Sequence, residues 1–265
     1  MAGPKSAVKP TPSAKTDTKS RFAVTSGRIA GPQRIVVYGP GGIGKSTLAS
    51  LAPDPIVLDI EEGTREIDVQ RIEGIGTFAE LRGVLSDDIV DGYKTIVIDS
   101  ATKAEELAVA HTIATVPHEK GHAINNIESY GFGKGYTHVY DTFLLLLADL
   151  DTQIRKGRNV ILVAHDCVEN VPNPVGEDWI RYEPHLQRPK SGKASIRNRV
   201  VQWADHVLFI GYDVVSEDGK GRGAGTRTIY PRELPSHLAK SRIASDPLPY
   251  ENENDGAIWS EILGD

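Results

Sequence analysis

From Arg34 onward the chain alternates between two kinds of apolar pattern. Unbroken, mostly β-branched runs occur in RIVVYG, PIVLDI, KTIVIDS and NVILVAH, which begin at residues 34, 55, 94 and 159. Runs of this kind bury side chains on both faces, as parallel strands do when helices cover them. Between them lie stretches with apolar residues every three to four positions: KSTLASLA, TFAELRGVL, ATKAEELAVAHTIATV, and YTHVYDTFLLLLADLDTQIRK, which stops at Gly157. Further on, RNRVVQWAD reads as a helix and HVLFIGYDVVSEDGKGRGAGTRTIYPRE as a hairpin with a glycine-rich turn. The predicted fold class is α/β: a mostly parallel sheet flanked by helices, with a C-terminal β-hairpin.

The pattern fades at both ends. Residues 1–25 are rich in Pro, Ser, Thr, Ala and Lys and poor in large apolar side chains, which predicts a disordered basic N-terminal tail. Residues 26–245 form the predicted core. Residues 246–265 read as an acidic C-terminal tail with six acids and no Lys or Arg, carrying Ile258, Trp259, Ile262 and Leu263. That cluster either docks on a partner protein or neighbouring subunit, or packs on this domain as a final helix.

Charge and cysteine content narrow the setting. The net charge of −6 neither supports nor excludes a nucleic-acid partner, so a local basic surface would have to do the binding. A single cysteine, Cys167, rules out an internal disulfide framework and fits a reducing, cytoplasmic compartment. The start of the chain lacks the apolar core of a secretory signal, and FLLLLADL is too short to span a bilayer, so no membrane association is expected.

Between the first strand and the first helix stands GPGGIGKST: Gly39, Pro40, Gly41, Gly42, Ile43, Gly44, Lys45, Ser46 and Thr47. A hairpin needs one or two glycines; four point to a ligand that touches backbone. The stretch fits G-x-x-x-x-G-K-[ST] in the required strand–helix context, which predicts a cradle for the phosphates of ATP. Lys45 would reach the β and γ phosphates and Ser46 would hold Mg²⁺. Pro40 stands where partitioning and nitrogenase-type ATPases carry a second lysine, so that class is set aside.

Three further strand ends supply candidate chemistry. Asp99 closes TIVID and either positions Mg²⁺ or caps the next helix, a role Ser100 can also fill. Asp59, Glu61 and Glu62 follow PIVL; a carboxylate there either polarises the water that attacks the γ phosphate or belongs to a solvated acidic turn. His165 ends NVILVA and either reports on the γ phosphate or is a half-buried polar residue.

The order of these pieces resembles the RecA-like P-loop NTPase core. That resemblance implies a catalytic carboxylate two positions after Asp59, at Glu61, with Glu62 as the fallback, and it makes Lys45, Asp99 and His165 the other groups acting on the nucleotide. AKSR resembles the lysine-x-arginine element that RadA-type recombinases and ring helicases insert into a neighbour's nucleotide site. This implies trans roles for Lys240 and Arg242 in a homo-oligomer, ring or filament. GPGGIGKS, DIEEGT, VIDS, ESYGFGKGY, LVAHD and AKSR together resemble phage-encoded ATP-binding proteins grouped as RecA-like single-strand annealing proteins, a phage nucleotide-binding AAA-type family. The resemblance covers residues 30–245. It implies an ATPase that binds single-stranded DNA and promotes annealing or strand exchange.

RecA-type proteins hold single strands on two loops. The first corresponds to residues 121–136, where Tyr130, Phe132 and Tyr136 can stack bases and Lys134 can neutralise phosphate. The second runs over 168–193, where Pro172, Pro174 and Pro189 predict irregular structure. Its far end, LQRPKSGKASIRNR, carries Arg188, Lys190, Lys193, Arg197 and Arg199 and no acid; Trp179 and Tyr182 add stacking surfaces. Both segments also read as ordinary solvated loops. Two other functional readings use the same core: a helicase-like or packaging motor, and a small-molecule phosphotransferase with the long loop as its lid.

Overall fold

The apolar runs pair as parallel neighbours because each has two faces to bury. The computed structural model describes residues 26–27, 29–190, 194–217, 220–251 and 256–264. The chain divides into two units, Met1–Gly31 and Pro32–Asp265, and every helix and strand among the described residues lies in the second. In chain order the elements are β1 (Arg34–Tyr38), α1 (Lys45–Ser50), β2 (Pro55–Asp59), β3 (Gln70–Ile72), α2 (Phe78–Ser86), β4 (Thr95–Asp99), α3 (Ala101–Thr115) and α4 (Lys134–Arg155). There follow β5 (Asn159–Ala164), β6 (Asp166–Val171), β7 (Trp179–Pro184), α5 (Ile196–Trp203), β8 (His206–Glu217), β9 (Lys220–Tyr230), β10 (Leu248–Pro249) and α6 (Ile258–Leu263).

The main sheet has the order β10-β9-β8-β1-β5-β4-β2-β3. From β8 to β3 all pairs are parallel; β9 and β10 are antiparallel additions beyond β8. Alternate residues of each strand enter different cores. Val36, Tyr38, Ile56, Leu58, Ile96 and Ile98 pack against α2, α3, α4 and α5, while Ile35, Val37, Val57, Val97, Ile161 and Leu208 pack against α1 and α6. The predicted α/β class with a C-terminal hairpin is what the chain builds. Among the described residues no helix is long and apolar enough to cross a membrane.

Caps fix the helix starts that matter to the site. At α2, Thr77 Oγ1 accepts from Glu80 N at 3.1 Å and Glu80 Oε2 accepts from Thr77 N at 2.9 Å, a reciprocal capping box. Ser100 caps α3 by accepting from Lys103 N at 3.1 Å. The cap is therefore Ser100, which leaves the Asp99 carboxylate outside that role.

Two features depart from the sequence expectation. The segment after β5 is not irregular: β6 and β7 form an antiparallel pair from Asp166↔Pro184 to Val171↔Trp179, and Pro172 and Pro174 sit in the connection, where a missing N–H breaks no ladder. The edge strand β3 has no counterpart in the sequence pattern, because one exposed and two half-buried residues, two of the three polar, carry no periodicity. The segment from 246 takes one of its two expected forms, a final helix packed on this domain. Leu248–Pro249 extends the sheet along β9, and Trp259, 2 % exposed, donates from Nε1 to Leu48 O of α1 at 2.9 Å. Trp259→Ala is expected to cost about 3–5 kcal/mol of stability, read from the midpoint of chemical denaturation. An unchanged midpoint would mean that this segment contributes nothing to the fold.

Candidate nucleotide site

The parallel registers bring Tyr38, Asp59, Asp99 and Ala164 to one edge of the sheet, since Tyr38 pairs with Ala164 and Asp99 with both Asp59 and Val163. The chain leaves β1 there through the glycine loop. Gly39 passes against β8, where an added Cβ would lie 2.3 Å from Ile210 O. Gly44, at φ 101°, ends the loop and precedes α1 without any side-chain cap, so the amides of the first turn keep their donor capacity. Lys45 is buried and folds back over the loop, donating to Gly39 O at 2.9 Å and Pro40 O at 2.8 Å. Two of its three protons are used in this way. Burial lowers its pKa, while Asp166, Asp99 and Glu61 act in the opposite sense.

Asp99 is 5 % exposed, and its pKa is raised first by burial and further by the neighbouring Glu61 and Asp59 carboxylates; a hydrogen bond from the Ser46 hydroxyl and the charge of Lys45 oppose the rise. Ser46 and Asp99 thus bring two hard oxygen donors together, in a setting where excess negative charge raises proton affinity. That donor set fits Mg²⁺, which takes one or two protein oxygens beside substrate phosphates and water. The Asp99–Ser100 peptide is cis.

The acidic turn after β2 separates its three carboxylates by function. Asp59, 1 % exposed, accepts from Gly63 N and Thr64 N, both at 3.0 Å, and from the Thr64 hydroxyl, so it closes the turn. Glu62 sits at φ 55°, points outward and pairs with Arg65 at 2.5 Å. Glu61 faces the site. Its Oε1 accepts from the Ser100 hydroxyl and lies 3.0 Å from His165 Nε2, and its own N–H donates to Asp99 O at 3.2 Å. His165 in turn is fixed by its backbone: its N–H donates to Thr102 Oγ1 at 3.2 Å, and its carbonyl accepts from His185 N at 2.8 Å. Gly39 to Thr47, Glu61, Asp99 and His165 therefore meet at one edge of the sheet.

Lys240 and Arg242 lie elsewhere. Lys240 exchanges backbone hydrogen bonds with Val207 at the start of β8, and Arg242 Nε donates to Asp205 Oδ1 at 2.9 Å. Asp205 N donates to Arg34 O at 2.7 Å, which puts the pair beside the entry of β1 while the glycine loop leaves its exit. Five strand residues, roughly 16 Å, separate the two ends. Burial and the nearby Arg242 charge lower the Lys240 pKa. Arg242 remains largely exposed.

The residues expected to touch DNA fall into two groups. Phe132 is fully exposed at φ 51° between Gly131 and Gly133, both also at positive φ. Lys134 is exposed and pairs with Glu119 at 2.6 Å, Tyr136 donates to Glu128 Oε1 at 2.5 Å, and Arg188 and Lys190 are exposed. Tyr130 and Arg197 do not present themselves to solvent. Tyr130 is 5 % exposed and donates its hydroxyl to Val116 O at 2.7 Å, anchoring the end of α3. Arg197 is 3 % exposed and donates to Glu169 Oε1 at 2.7 Å and Glu183 Oε2 at 2.8 Å, a charge consumed inside the fold. Both roles need exposure that the packing removes. Tyr182 stacks one face on Phe209 at 5.3 Å and remains 38 % exposed. Lys193 lies outside the described residues.

Sequence reasoning missed two groups at the loop, Arg227 of β9 and Tyr250 after β10, which donate to Ile43 O at 2.9 Å and Gly44 O at 3.0 Å. Nothing in their spacing announces them, because antiparallel strands joined over a long connection bring them there.

A glycine loop between a buried strand and a helix, a lysine folded over it, and facing Ser46, Asp99 and Glu61 define a P-loop nucleoside triphosphatase. The family model AAA_24, described as an AAA domain, matches residues 31–243, and the chain belongs to that family of AAA-type P-loop ATPase domains. No curated protein matches the chain. Among solved structures, the KaiC-like protein PH0186 from the hyperthermophilic archaeon Pyrococcus horikoshii OT3 is similar at 13 % identity and a TM-score of 0.43, over 84 % of this chain and 88 % of that one. A likeness at that level assigns no residue.

Proposed function

We propose that the chain is a Mg²⁺-dependent ATPase that binds single-stranded DNA as an oligomer and promotes annealing or strand exchange, the role implied by its resemblance to phage RecA-like single-strand annealing proteins. In this reading the loop amides and Lys45 hold the phosphates, and Ser46 and Asp99 hold the metal, which neutralises charge on the phosphate oxygens when bound. Glu61 orients a water and accepts its proton, and His165 holds Glu61 in place from the strand that leads into β6.

The observation that carries the DNA part is the meeting of the two expected segments. The Gln187 side-chain amide donates to Tyr136 O at 3.0 Å and to Ala194 O at 2.9 Å, which ties the start of α4 to the strip carrying Arg188, Lys190 and Arg199. A fully exposed aromatic, Phe132, thus stands close in sequence to a tether that leads directly to basic side chains, the combination that binds a single strand through base stacking and phosphate charge.

The test is ATP hydrolysis with and without single-stranded DNA, together with oligonucleotide binding over a range of salt. Phe132→Ala is expected to weaken binding by about 1–3 kcal/mol with an unchanged salt slope. Lys190→Ala is expected to lower the slope by about 0.7. Hydrolysis indifferent to DNA, with no oligonucleotide bound, would sink this reading and favour a monomeric phosphotransferase.

A further inference from the structure

On the carbonyl side of the glycine loop two side chains from the C-terminal part of the fold converge. Arg227 Nη1 donates to Ile43 O at 2.9 Å, and the Tyr250 hydroxyl donates to Gly44 O at 3.0 Å. The guanidinium lies over the Tyr250 ring at 4.8 Å, so each braces the other. The fit at Gly44 is close: an added Cβ would stand 2.9 Å from Arg227 Nη1 and 3.0 Å from the Tyr250 ring. Tyr250 is itself 1 % exposed, and Trp259 fastens the same C-terminal segment to α1 through Leu48 O.

The two carbonyls belong to the peptide units that carry the amides of Gly44 and Lys45. A trans peptide is planar, with its C=O and N–H directed to opposite sides. Holding the Ile43 carbonyl outward therefore aims the Gly44 N–H inward, and holding the Gly44 carbonyl does the same for the Lys45 N–H. A donor on the carbonyl also polarises the amide across the same plane and makes it a better donor. The Gly44 carbonyl already accepts from Leu48 N at 2.8 Å as the first bond of α1, so Tyr250 supplies a second, orienting donor.

We infer that Arg227 and Tyr250 are positioning residues for polyphosphate binding: they set the direction and strength of the two loop amides from behind, without touching the ligand. Polyphosphate affinity is thereby linked to the docking of β9, β10 and α6. The inference rests on reading the glycine loop as the triphosphate cradle, and is independent of whether the chain binds DNA.

Tyr250→Phe keeps the ring and its packing and removes only the hydroxyl; Arg227→Gln removes the charge, and Arg227→Lys keeps the charge but loses the planar fork. Affinities for ATP and for inorganic tripolyphosphate are measured by calorimetry, alongside thermal midpoints without ligand to establish that each variant is folded at the assay temperature. Tyr250→Phe is expected to weaken both ligands by the same factor, about three- to tenfold, and Arg227→Gln by about tenfold or more, with partial recovery in Arg227→Lys. Unchanged affinities in folded variants would overturn the inference. So would a loss confined to ATP with tripolyphosphate unaffected, since that would place both residues at the nucleoside end. Failure of the unaltered chain to bind either ligand is a distinct result, and it would overturn the reading of the loop and the inference with it.

Discussion

Glu61→Gln is expected to lower ATP turnover by about 10²–10⁴-fold while leaving ATP affinity within a few-fold of the unaltered chain. The argument starts from what the substitution preserves. A glutamine carbonyl can still accept from the Ser100 hydroxyl, and its amide can still face His165 Nε2, so the contacts that hold the side chain in the site survive. The backbone is anchored independently, through Ile60 N and Glu61 N, both of which donate to Asp99 O. The capacity to take a proton from water is lost, together with the charge that acts on Asp99 and Lys45. Glu62→Gln provides the contrast, because Glu62 faces solvent and pairs with Arg65; its turnover is expected to change less than about twofold, as for an exposed ion pair. Phosphate release under single-turnover conditions, with ATP binding measured separately, distinguishes a chemical defect from a binding defect. Near-normal turnover in Glu61→Gln, or a loss in Glu62→Gln instead, would remove Glu61 from the catalytic role.

How far the sequence carried this picture depends on the range of the interaction concerned. The parallel strands were legible because burial on both faces leaves an uninterrupted apolar run, as in Ile96, Val97 and Ile98, and the loop was legible because four glycines in nine residues have no cheaper explanation than a ligand. The choice between Glu61 and Glu62 was not. It depends on a left-handed residue at 62 and on the Asp59 carboxylate that closes the turn, neither of which leaves a mark in spacing. The basic strip overstated its free charge for the same reason. Arg197 reads like its neighbours in the sequence, but helix α5 turns it inward onto Glu169 and Glu183, which the β6–β7 pair brings from 28 and 14 residues away. Tyr130 likewise reads as a base-stacking aromatic, but its hydroxyl closes the end of α3. Where function depends on which face of an element a side chain takes, composition counts it and only packing assigns it.

Arg242 carries the other large effect. In its own subunit it sits beside Asp205 and the entry of β1, a strand's length from the glycine loop, so it cannot reach a nucleotide held there without unfolding the edge that Lys240 forms with Val207. The proposed oligomer would bring it to a neighbour's ATP, across a head-to-tail interface that closes into a ring or continues as a filament. A cation delivered in this way is worth about 10³–10⁵ in turnover, so Arg242→Ala is expected to be nearly inactive, as is Lys45→Ala. In an assembly of the proposed kind the two defects would lie on opposite sides of one interface. Mixing the inactive variants should therefore restore hydrolysis, since an Arg242→Ala subunit contributes an intact loop and a Lys45→Ala subunit contributes an intact arginine; in an equal mixture about a quarter of the interfaces are whole. Activity per subunit should also rise with concentration in the unaltered chain. A mixture as inactive as its parts would show that the interface does not form this way. Full activity in Arg242→Ala alone would show that Arg242 is a surface cation held by Asp205 and nothing more.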